Sequence, residues 1–259
     1  MTILDTITAY KKQEVAAKKA IFSIALLKES KYFTRSCFSM ATNVANGSGI
    51  IAEHKRRSPS KSVINETVLV PEVVQGYKNA GVSAISVLTD TKFFGGSLDD
   101  LLVARAHVNI PLLRKDFIVD PYQIYEAKAY GADAILLIAS CLSKSELQEY
   151  SALAKELGLD VLLEIHNEAE LQKSLHPTVD LLGVNNRNLK TFEVSLNTSK
   201  NLAAHIPDYF VKVSESGISN IEAIKELQPY GYKGFLIGEY FMKTENPGES
   251  SAQFIKKLK

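Results

Sequence analysis

Short apolar runs recur along the chain from residue 50 onward, and stretches with a helical spacing of apolar residues lie between them. The runs contain few polar residues until their last positions, which is typical of strands covered on both faces. A strand followed by a helix, repeated eight times, predicts a (β/α)8 barrel with a parallel sheet. We place its strands near residues 50–55, 84–88, 111–115, 134–139, 161–165, 181–185, 210–214 and 234–238.

Local signals set the ends of several predicted helices. Pro71 to Ala80 is followed by Gly81, a residue common just after a helix. Ser143 and Glu146 have the spacing of a capping box, which marks the start of a helix. Further helices are predicted to end before Gly131 and Gly158, and Ser219-Asn220-Ile221-Glu222 is predicted to start the helix after the seventh strand.

Residues 1–48 precede the first strand and also show helical spacing, at Leu4, Ile7, Lys11 and Val15. The whole chain, 1–259, is therefore interpreted as one domain, an N-terminal helical extension followed by a barrel from residue 49. We interpret the basic cluster from Lys11 to Lys19 as a solvated helix face. Because the extension carries apolar residues that need a surface, we expect it to pack over or beside the catalytic rim of the barrel.

Composition limits the partners and the compartment. The net charge of +1 gives no global field that would attract nucleic acid or a membrane, so an anionic ligand must be held by local groups. No apolar stretch approaches the ~20 residues that a membrane span needs, and the N-terminus lacks the pattern of a signal peptide. Two cysteines do not make a disulfide framework, which favours the reducing cytoplasm. We expect a monomer or a weak homo-oligomer.

Ionisable residues stand at the carboxyl ends of the predicted strands, which is the rim where parallel barrels build active sites. Glu53 and Lys55 share one face of the first strand, and His54 lies on the other face. This pair could bind a ligand or form a structural ion pair. The following Arg56-Arg57-Ser58-Pro59-Ser60 segment is rich in donors and suits an anion.

Lys115 ends the third strand and Glu164 ends the fifth. A lysine at this rim could be a Schiff-base nucleophile or a general acid, or it could form a surface salt bridge with Asp116. Glu164 follows apolar residues, so burial would raise its pKa and suit it to proton transfer. The alternative for Glu164 is pairing with an interior lysine.

The remaining rim positions suggest binding groups. Asn185 and Arg187 can orient ligand oxygens, and Gly217 and Gly238 let backbone N–H groups approach an anion in the two loops where barrels often hold phosphate. Phe94 adds aromatic surface. His166 could line the rim, but the histidines lack ligand spacing, so no metal site is expected.

Several of these segments, in order, resemble the motifs of indole-3-glycerol phosphate synthases. The resemblance covers residues 4–258. The matching segments are Glu53-His54-Lys55-Arg56-Arg57-Ser58-Pro59-Ser60, Phe93-Phe94-Gly95-Gly96-Ser97, Leu113-Arg114-Lys115-Asp116-Phe117-Ile118, Leu163-Glu164-Ile165-His166, Asn185-Asn186-Arg187-Asn188-Leu189 and Glu215-Ser216-Gly217-Ile218.

The resemblance implies ring closure, decarboxylation and dehydration of 1-(2-carboxyphenylamino)-1-deoxyribulose 5-phosphate, with no cofactor. Lys115 would protonate the ketone oxygen, and Lys55 would hold the substrate carboxylate. Glu164 and Glu53 would transfer protons during dehydration, in an order that stays open. The other implied roles are substrate orientation by Asn185 and Arg187, support of the lysines by Glu215, phosphate binding by Ser216, Gly217, Gly238 and Glu239, and enclosure of the anthranilate ring by Pro59, Phe94, Phe117 and Leu136.

One departure and two alternatives accompany this interpretation. Glu239 occupies a phosphate-loop position where a smaller serine also occurs in the family, and we expect its carboxylate to turn away from the phosphate. The first alternative is a Schiff-base aldolase acting on a phosphorylated sugar. The second is a barrel that only binds phosphorylated metabolites, although binding alone does not need interior proton donors.

Overall fold

A computed structural model describes residues 2–189 and 191–258 of the chain. Its parallel strands close into a barrel in sequential order, with the first strand paired to both the second and the eighth. The predicted (β/α)8 barrel is therefore confirmed. The strands within the described residues are β1 Ile50–His54, β2 Ala84–Leu88, β3 Leu112–Lys115, β4 Ala134–Ile138, β5 Asp160–Ile165, β6 Leu181–Asn185, β7 Val211–Glu215 and β8 Gly234–Ile237.

The helices that surround the barrel begin and end close to the predicted signals. Ser143 and Glu146 form the capping box at the start of the helix Lys144–Glu156, and Gly81 adopts a left-handed conformation after the helix Val70–Ala80. The helices are α1 Ile3–Ile21, α2 Ile24–Lys28, α3 Met40–Asn46, α4 Val70–Ala80, α5 Thr91–Phe94, α6 Leu98–His107, α7 Tyr122–Ala129, α8 Lys144–Glu156, α9 Glu168–Ser174, α10 Asn197–Ala203, α11 Ile221–Leu227, α12 Glu239–Met242 and α13 Pro247–Leu258. Among them, none has both the length and the hydropathy to cross a membrane.

The interior of the barrel changes character along its axis. Its lower part is filled by small and branched apolar side chains, among them Ile51, Leu113, Leu162 and Val213, all fully buried. Alternation along each strand then places the last inward-facing residues of β1, β3, β5 and β7 above this layer. These last residues are charged, so the ionisable side chains inside the barrel lie at its carboxyl end. They are Glu53, Lys115, Glu164 and Glu215.

The N-terminal extension spans the full height of the barrel. Ile3, Leu4 and Ile7 of α1 line the cavity at the carboxyl end, whereas Met40 and Val44 of α3 are buried against the apolar layer inside the barrel. The expected position beside the rim therefore holds for α1, while α3 closes the opposite end. The reason is chain geometry: the extension must return to the amino end of β1 before the barrel begins.

Two strand-end carboxylates hold the segment that connects these helices. Asp133, just before β4, accepts hydrogen bonds from the Arg35 side chain at 2.7 Å and from the backbone N–H of Phe38 at 2.8 Å. Asp160, at the start of β5, accepts from the Ser39 hydroxyl and the backbone N–H of Ala41, both at 3.0 Å. The N-terminal extension is thus attached to the amino ends of β4 and β5, which lie in the middle of the chain.

Lys11 contradicts the interpretation of the basic cluster as a solvated face. Its side chain is only 1% exposed, and its Nζ lies 2.9 Å from Asp90 and 3.1 Å from Asp116. Burial alone would lower the pKa of this ammonium, but Asp116, Asp90 and Glu14 raise it above the ordinary value. Lys12 and Lys19 are exposed as predicted. Lys11 therefore joins α1 to the ends of β2 and β3.

Candidate active site

A cavity of about 370 Å³ opens at the carboxyl end of the barrel, between the strand ends and α1. All fifteen residues that the sequence predicted for the site line this cavity, which brings together side chains from eight different strand ends and loops. They are Glu53, Lys55, Pro59, Phe94, Lys115, Phe117, Leu136, Glu164, Asn185, Arg187, Glu215, Ser216, Gly217, Gly238 and Glu239.

Lys115 stands among three carboxylates. Its Nζ lies 3.3 Å from Glu215 Oε2, 3.7 Å from Glu164 Oε2 and 4.0 Å from Glu53 Oε2. Burial alone would lower the pKa of this ammonium, but the three carboxylates, Glu215 foremost, raise it above its ordinary value. Lys115 is therefore held in its charged form. The alternative of a salt bridge with Asp116 is wrong, because Asp116 pairs with Lys11 and Arg114 on the outer side of the strand.

Glu53 and Lys55 form a close ion pair inside the cavity, with Lys55 Nζ donating to Glu53 Oε1 at 2.6 Å. Burial would raise the pKa of the Glu53 carboxyl, but Lys55 and Lys115 lower it, so Glu53 is ionised. His54 lies on the opposite face of β1 and is 1% exposed. Burial, aided by Arg56, lowers the pKa of His54 to about 4, so this imidazole is neutral.

Glu215 differs from its neighbours in its protonation. Burial raises its pKa to about 7, with further contributions from Glu164 and Glu53, although Lys115 opposes the shift. Room for this carboxyl group comes from Gly183 on β6, because a Cβ at that position would lie 2.3 Å from Glu215 Oε1. The family resemblance implies only a supporting role for Glu215, and nothing in the sequence indicates a carboxyl group with a pKa of about 7.

Glu164 has two further neighbours besides Lys115. Asn185 Nδ2 donates to Glu164 Oε1 at 3.1 Å. His166 Nε2 lies 3.5 Å from the same oxygen, and the imidazole is held on its other side by Glu170. His166 is not among the residues that line the cavity; it stands behind Glu164 and does not line the rim, as its place in the sequence had suggested it could.

One end of the cavity is apolar. The rings of Phe94 and Phe117 lie 5.9 Å apart with an interplanar angle of 38°. Pro59 and Leu136 line the same cavity, together with the α1 side chains of Ile3, Leu4 and Ile7. A flat aromatic ligand would gain both apolar burial and ring contacts here.

Another part of the cavity is formed by the loops after β7 and β8. Ser216 and Gly217 both have left-handed backbone conformations, with φ of 66° and 81°. A non-glycine residue in this region is uncommon and clusters at functional sites. The Glu239 side chain is half-exposed, and its carboxylate pairs with Lys61 Nζ at 3.0 Å. Lys243, just after α12, also lines the cavity; nothing in its sequence context marks it as a site residue.

Two arginines do not fulfil the role that the sequence suggested. Arg56 makes two hydrogen bonds with the Asp100 carboxylate and one with Gly95 O, and Arg57 donates to the carbonyl groups of Thr91 and Lys92. Both side chains therefore hold the loop after β2 in place instead of facing an anion. Among the described residues, no cluster of three or more His, Cys, Asp or Glu side chains is arranged to hold a metal ion.

Comparison with known proteins identifies the family. The family model for indole-3-glycerol phosphate synthase matches residues 4–258. Indole-3-glycerol phosphate synthases from Bacteroides thetaiotaomicron and Variovorax paradoxus are 49% and 43% identical to this chain, over 99% and 98% of its length and 98% and 99% of theirs. The enzyme of that name from Delftia acidovorans is 44% identical over 97% of this chain and 98% of its own.

Solved structures show the same fold at much lower identity. A tryptophan synthase α-subunit variant from Pyrococcus furiosus has a TM-score of 0.61 at 14% identity, covering 82% of this chain and 98% of that one. The native KDPGal structure has a TM-score of 0.57 at 16% identity, covering 81% and 91%. These likenesses support the barrel alone. The family match and the close relatives, together with the lysine and carboxylate cluster in the cavity, place this chain in the indole-3-glycerol phosphate synthase family, the carboxy-lyases that act in tryptophan biosynthesis.

Proposed function

We propose that this cavity closes the indole ring of indole-3-glycerol phosphate with Lys115 as the general acid. The observation that carries the proposal is the position of Lys115, a charged ammonium among Glu53, Glu164 and Glu215, in the same cavity as the Phe94 and Phe117 rings. The direct test is incubation with 1-(2-carboxyphenylamino)-1-deoxyribulose 5-phosphate and detection of indole fluorescence. The chain contains no Trp, so the protein background is low.

The first step forms a carbon–carbon bond. The ring carbon that bears the carboxylate attacks the ketone, and the ketone oxygen gains negative charge. An alkoxide is far more basic than an amine, so even an ammonium with a raised pKa donates its proton as that charge develops. Lys115 also stabilises the developing charge electrostatically before the transfer is complete.

The second step is loss of carbon dioxide, which restores the aromatic ring. We assign Lys55 to the substrate carboxylate, because its ammonium lines the cavity while Glu53 fixes its position at 2.6 Å. Arg187 and Asn185 are assigned to substrate orientation, and the Asn185 side-chain oxygen Oδ1 accepts from the Arg187 backbone N–H at 3.0 Å, which fixes the side-chain amide. The aromatic ring is assigned to the space between Pro59, Phe94, Phe117 and Leu136.

The last step removes water and a proton from the carbon next to nitrogen. We assign the base to Glu164 in preference to Glu53, because Glu53 is committed to Lys55 whereas Glu164 keeps one oxygen 3.7 Å from Lys115. From Glu164 the proton can pass to Lys115, which replaces one of the two protons that the ketone oxygen takes up before it leaves as water. Glu215, with a pKa of about 7, supports Lys115 and can hold a proton within the same cluster.

Glu164→Gln is expected to lower kcat by about 10²–10⁴-fold, the range for a positioned acid or base, with little change in KM. The amide keeps the shape of the side chain but cannot accept the proton. Steady-state kinetics on this variant and on Glu168→Gln, an exposed glutamate on α9, make the comparison. A rise in KM alone would show that Glu164 binds substrate and does not transfer the proton.

The phosphate is assigned to the loops after β7 and β8, with Ser216, Gly217, Gly238 and Glu239 presenting backbone N–H groups. Gly217 is the best position at which to test this assignment by substitution. A Cβ there would lie 2.6 Å from Cγ1 of Val194, which also lines the cavity. Gly238 is less suitable. A Cβ at Gly238 would lie 2.4 Å from Glu53 Oε1, so a substitution would disturb the acid cluster as well.

Gly217→Val is expected to raise KM and the inhibition constant of inorganic phosphate at least tenfold in each case, because the loop must shift away from the anion. A suitable control is Gly81→Val, which imposes the same left-handed strain at φ of 85° but has no atom within 4 Å of the new Cβ. Competition assays with phosphate measure both effects. Equal phosphate inhibition in the two variants would place the anion elsewhere.

We further propose that the protein works in the cytoplasm on its phosphorylated small-molecule substrate without a nucleic-acid partner. The net charge of +1 supports this, since it gives no field toward polyanions. We also propose a monomer or weak homo-oligomer. Sedimentation at several protein concentrations tests the oligomeric state.

A further inference from the structure

The ring-closure reaction consumes a proton in each turnover. The ketone oxygen leaves as water and takes up two protons, while the carbon next to nitrogen loses one proton. The substrate carboxylate leaves as neutral carbon dioxide and contributes none. One proton must therefore enter the cavity from solvent in every cycle, and Lys115 and Glu164 cannot be restored by exchange between themselves alone.

His166 stands between Glu164 and the protein surface with an unusual set of contacts. Its Nδ1 lies 3.1 Å from Glu170 Oε2, and its backbone N–H donates to the same oxygen at 2.8 Å. Its Nε2 is buried and has no hydrogen-bond partner among the described residues, yet it lies 3.5 Å from Glu164 Oε1. A buried polar atom without a partner costs free energy, so its retention beside the proposed base calls for a reason.

Glu170 fixes this imidazole from the first turn of α9. Asn167, the residue that caps α9, donates to Glu170 Oε1 at 3.0 Å and accepts from the Glu170 backbone N–H at 2.9 Å. The Glu170 carboxylate is therefore anchored on both oxygens, and 16% of its side chain remains exposed. Glu164, in contrast, is 5% exposed. The chain of groups from Glu170 through His166 to Glu164 thus runs from the surface to the cavity.

We propose that His166, held by Glu170, is the entry point of the solvent proton that each turnover consumes. The imidazolium transfers its Nε2 proton to the Glu164 carboxylate, and Glu164 passes it to the Lys115 amine, 3.7 Å from its other oxygen. The neutral ring keeps its other proton on Nδ1 beside Glu170, so Nε2 regains a proton from water when the side chain, which is 13% exposed, rotates away from Glu164. The inference rests on the proposed role of Glu164 as the proton acceptor.

The charges around His166 favour this direction of transfer. Burial by itself would lower the pKa of the imidazole, but the hydrogen bond to Glu170 and the carboxylates of Glu164 and Glu215 raise it above the ordinary value. Five titratable groups surround the His166 imidazole. Glu164 and Glu170 are its direct neighbours, and the others are Glu215 at the end of β7, Lys115 on the far side of Glu164, and the thiol of Cys141. Burial raises the pKa of Cys141 to about 12, so that thiol is neutral.

His166→Gln is expected to lower kcat by about 10²-fold, the lower end of the range for a positioned proton donor, with KM nearly unchanged. Glutamine keeps a donor toward Glu164 but cannot carry a proton. In His166→Ala, added imidazole is expected to restore turnover in proportion to its protonated form. His176→Gln, whose ring contacts Thr178 away from the cavity, is the control for loss of a histidine.

The pH dependence supplies a second readout. Since His166 acts in its charged form, kcat of the parent should fall as pH rises through the pKa of His166. Glu170→Gln removes a carboxylate that raises this pKa, so the fall should move to lower pH. An unchanged profile in Glu170→Gln would contradict the relay.

Each outcome separates the relay from other roles. Parent-like kcat in His166→Gln overturns the proposal. Activity that glutamine restores but imidazole does not would show that His166 only positions Glu164, which also overturns it. Full activity in Glu164→Gln would instead refute the proposed role of Glu164. An inactive Glu164→Gln beside a fully active His166→Gln would refute the relay alone.

Discussion

Lys115→Met is expected to lower kcat by about 10²–10⁴-fold or more while the barrel stays folded. Methionine has nearly the same length and volume, so the change removes the proton donor and the charge with little change in packing. The loss should exceed that of an ordinary acid, because Glu53, Glu164 and Glu215 would then face one another without the cation that separates them. Steady-state kinetics with fluorescence detection of the indole product measures the effect.

Two comparisons make this result specific. Lys212→Met removes another buried strand lysine, one that pairs with Asp208 and donates to Ala203 O outside the cavity. It should cost stability without loss of kcat. Borohydride added with substrate should trap no adduct on Lys115, since a general acid forms no covalent bond. A Lys115→Met variant with more than a third of the parent kcat, or a trapped adduct on Lys115, would refute the assignment.

Lys11→Met is expected to lower the free energy of unfolding by about 3–5 kcal/mol, the usual cost of removing one partner from a buried ion pair. Asp90 and Asp116 are 0% and 1% exposed at the side chain and would lose the ammonium that lies about 3 Å from each. Urea unfolding followed by circular dichroism measures the change. Activity should fall as well, because Asp116 follows Lys115 directly and Asp90 caps the helix that carries Phe94.

The control is Lys19→Met, which breaks an exposed pair with Asp120 and should cost less than about 1 kcal/mol. Asp116→Asn should recover part of the stability in the Lys11→Met background, since it removes a buried charge that has lost one partner. A Lys11→Met variant as stable as Lys19→Met would contradict the buried pairing.

The same network has a pH signature. Burial opposes the shift, but Arg114 and Lys11 lower the pKa of Asp116 from 3.8 to about 2. Because the folded pKa lies below the unfolded value, the stabilisation from Asp116 is present above pH 3.8 and is lost as the pH falls toward 2. Lys11→Met removes one of the cations that lower this pKa, so the loss of stability on acidification should begin at a higher pH in the variant than in the parent. Urea unfolding at a series of pH values measures the difference.

The strands and most helix ends could be predicted because they depend on neighbours in sequence. Buried runs such as Val161–Leu163 and the capping box at Ser143 carry their own signals. Lys11 could not be predicted in this way. Its helical spacing and basic neighbours are those of a surface position, and only the folded chain brings Asp90 and Asp116 to it.

In the active site, too, the identity of the residues could be predicted from the sequence, whereas their pKa values and partners could not. Residue type at strand ends was sufficient to select the charged residues of the site, since parallel strands direct these ends to one rim, and the family resemblance supplied others of the fifteen that line the cavity, such as Pro59 and Leu136. Their electrostatics could not be derived, because the raised pKa of Glu215 depends on the distances among three carboxylates and Lys115. Arg56 was misjudged for a similar reason: its partner, Asp100, lies on α6.

The attachment of the N-terminal extension to Asp133 and Asp160 has a consequence for synthesis of the chain. The first helices leave the ribosome before the aspartates that hold them have been translated, and at roughly 5–20 residues per second they wait on the order of ten seconds. During that interval Ile7, Val15, Leu27 and Met40, all buried in the folded protein, have no native surface to cover. The nascent chain therefore exposes apolar helices until its fifth strand emerges, and chaperones that bind such segments would find their substrate in this early window.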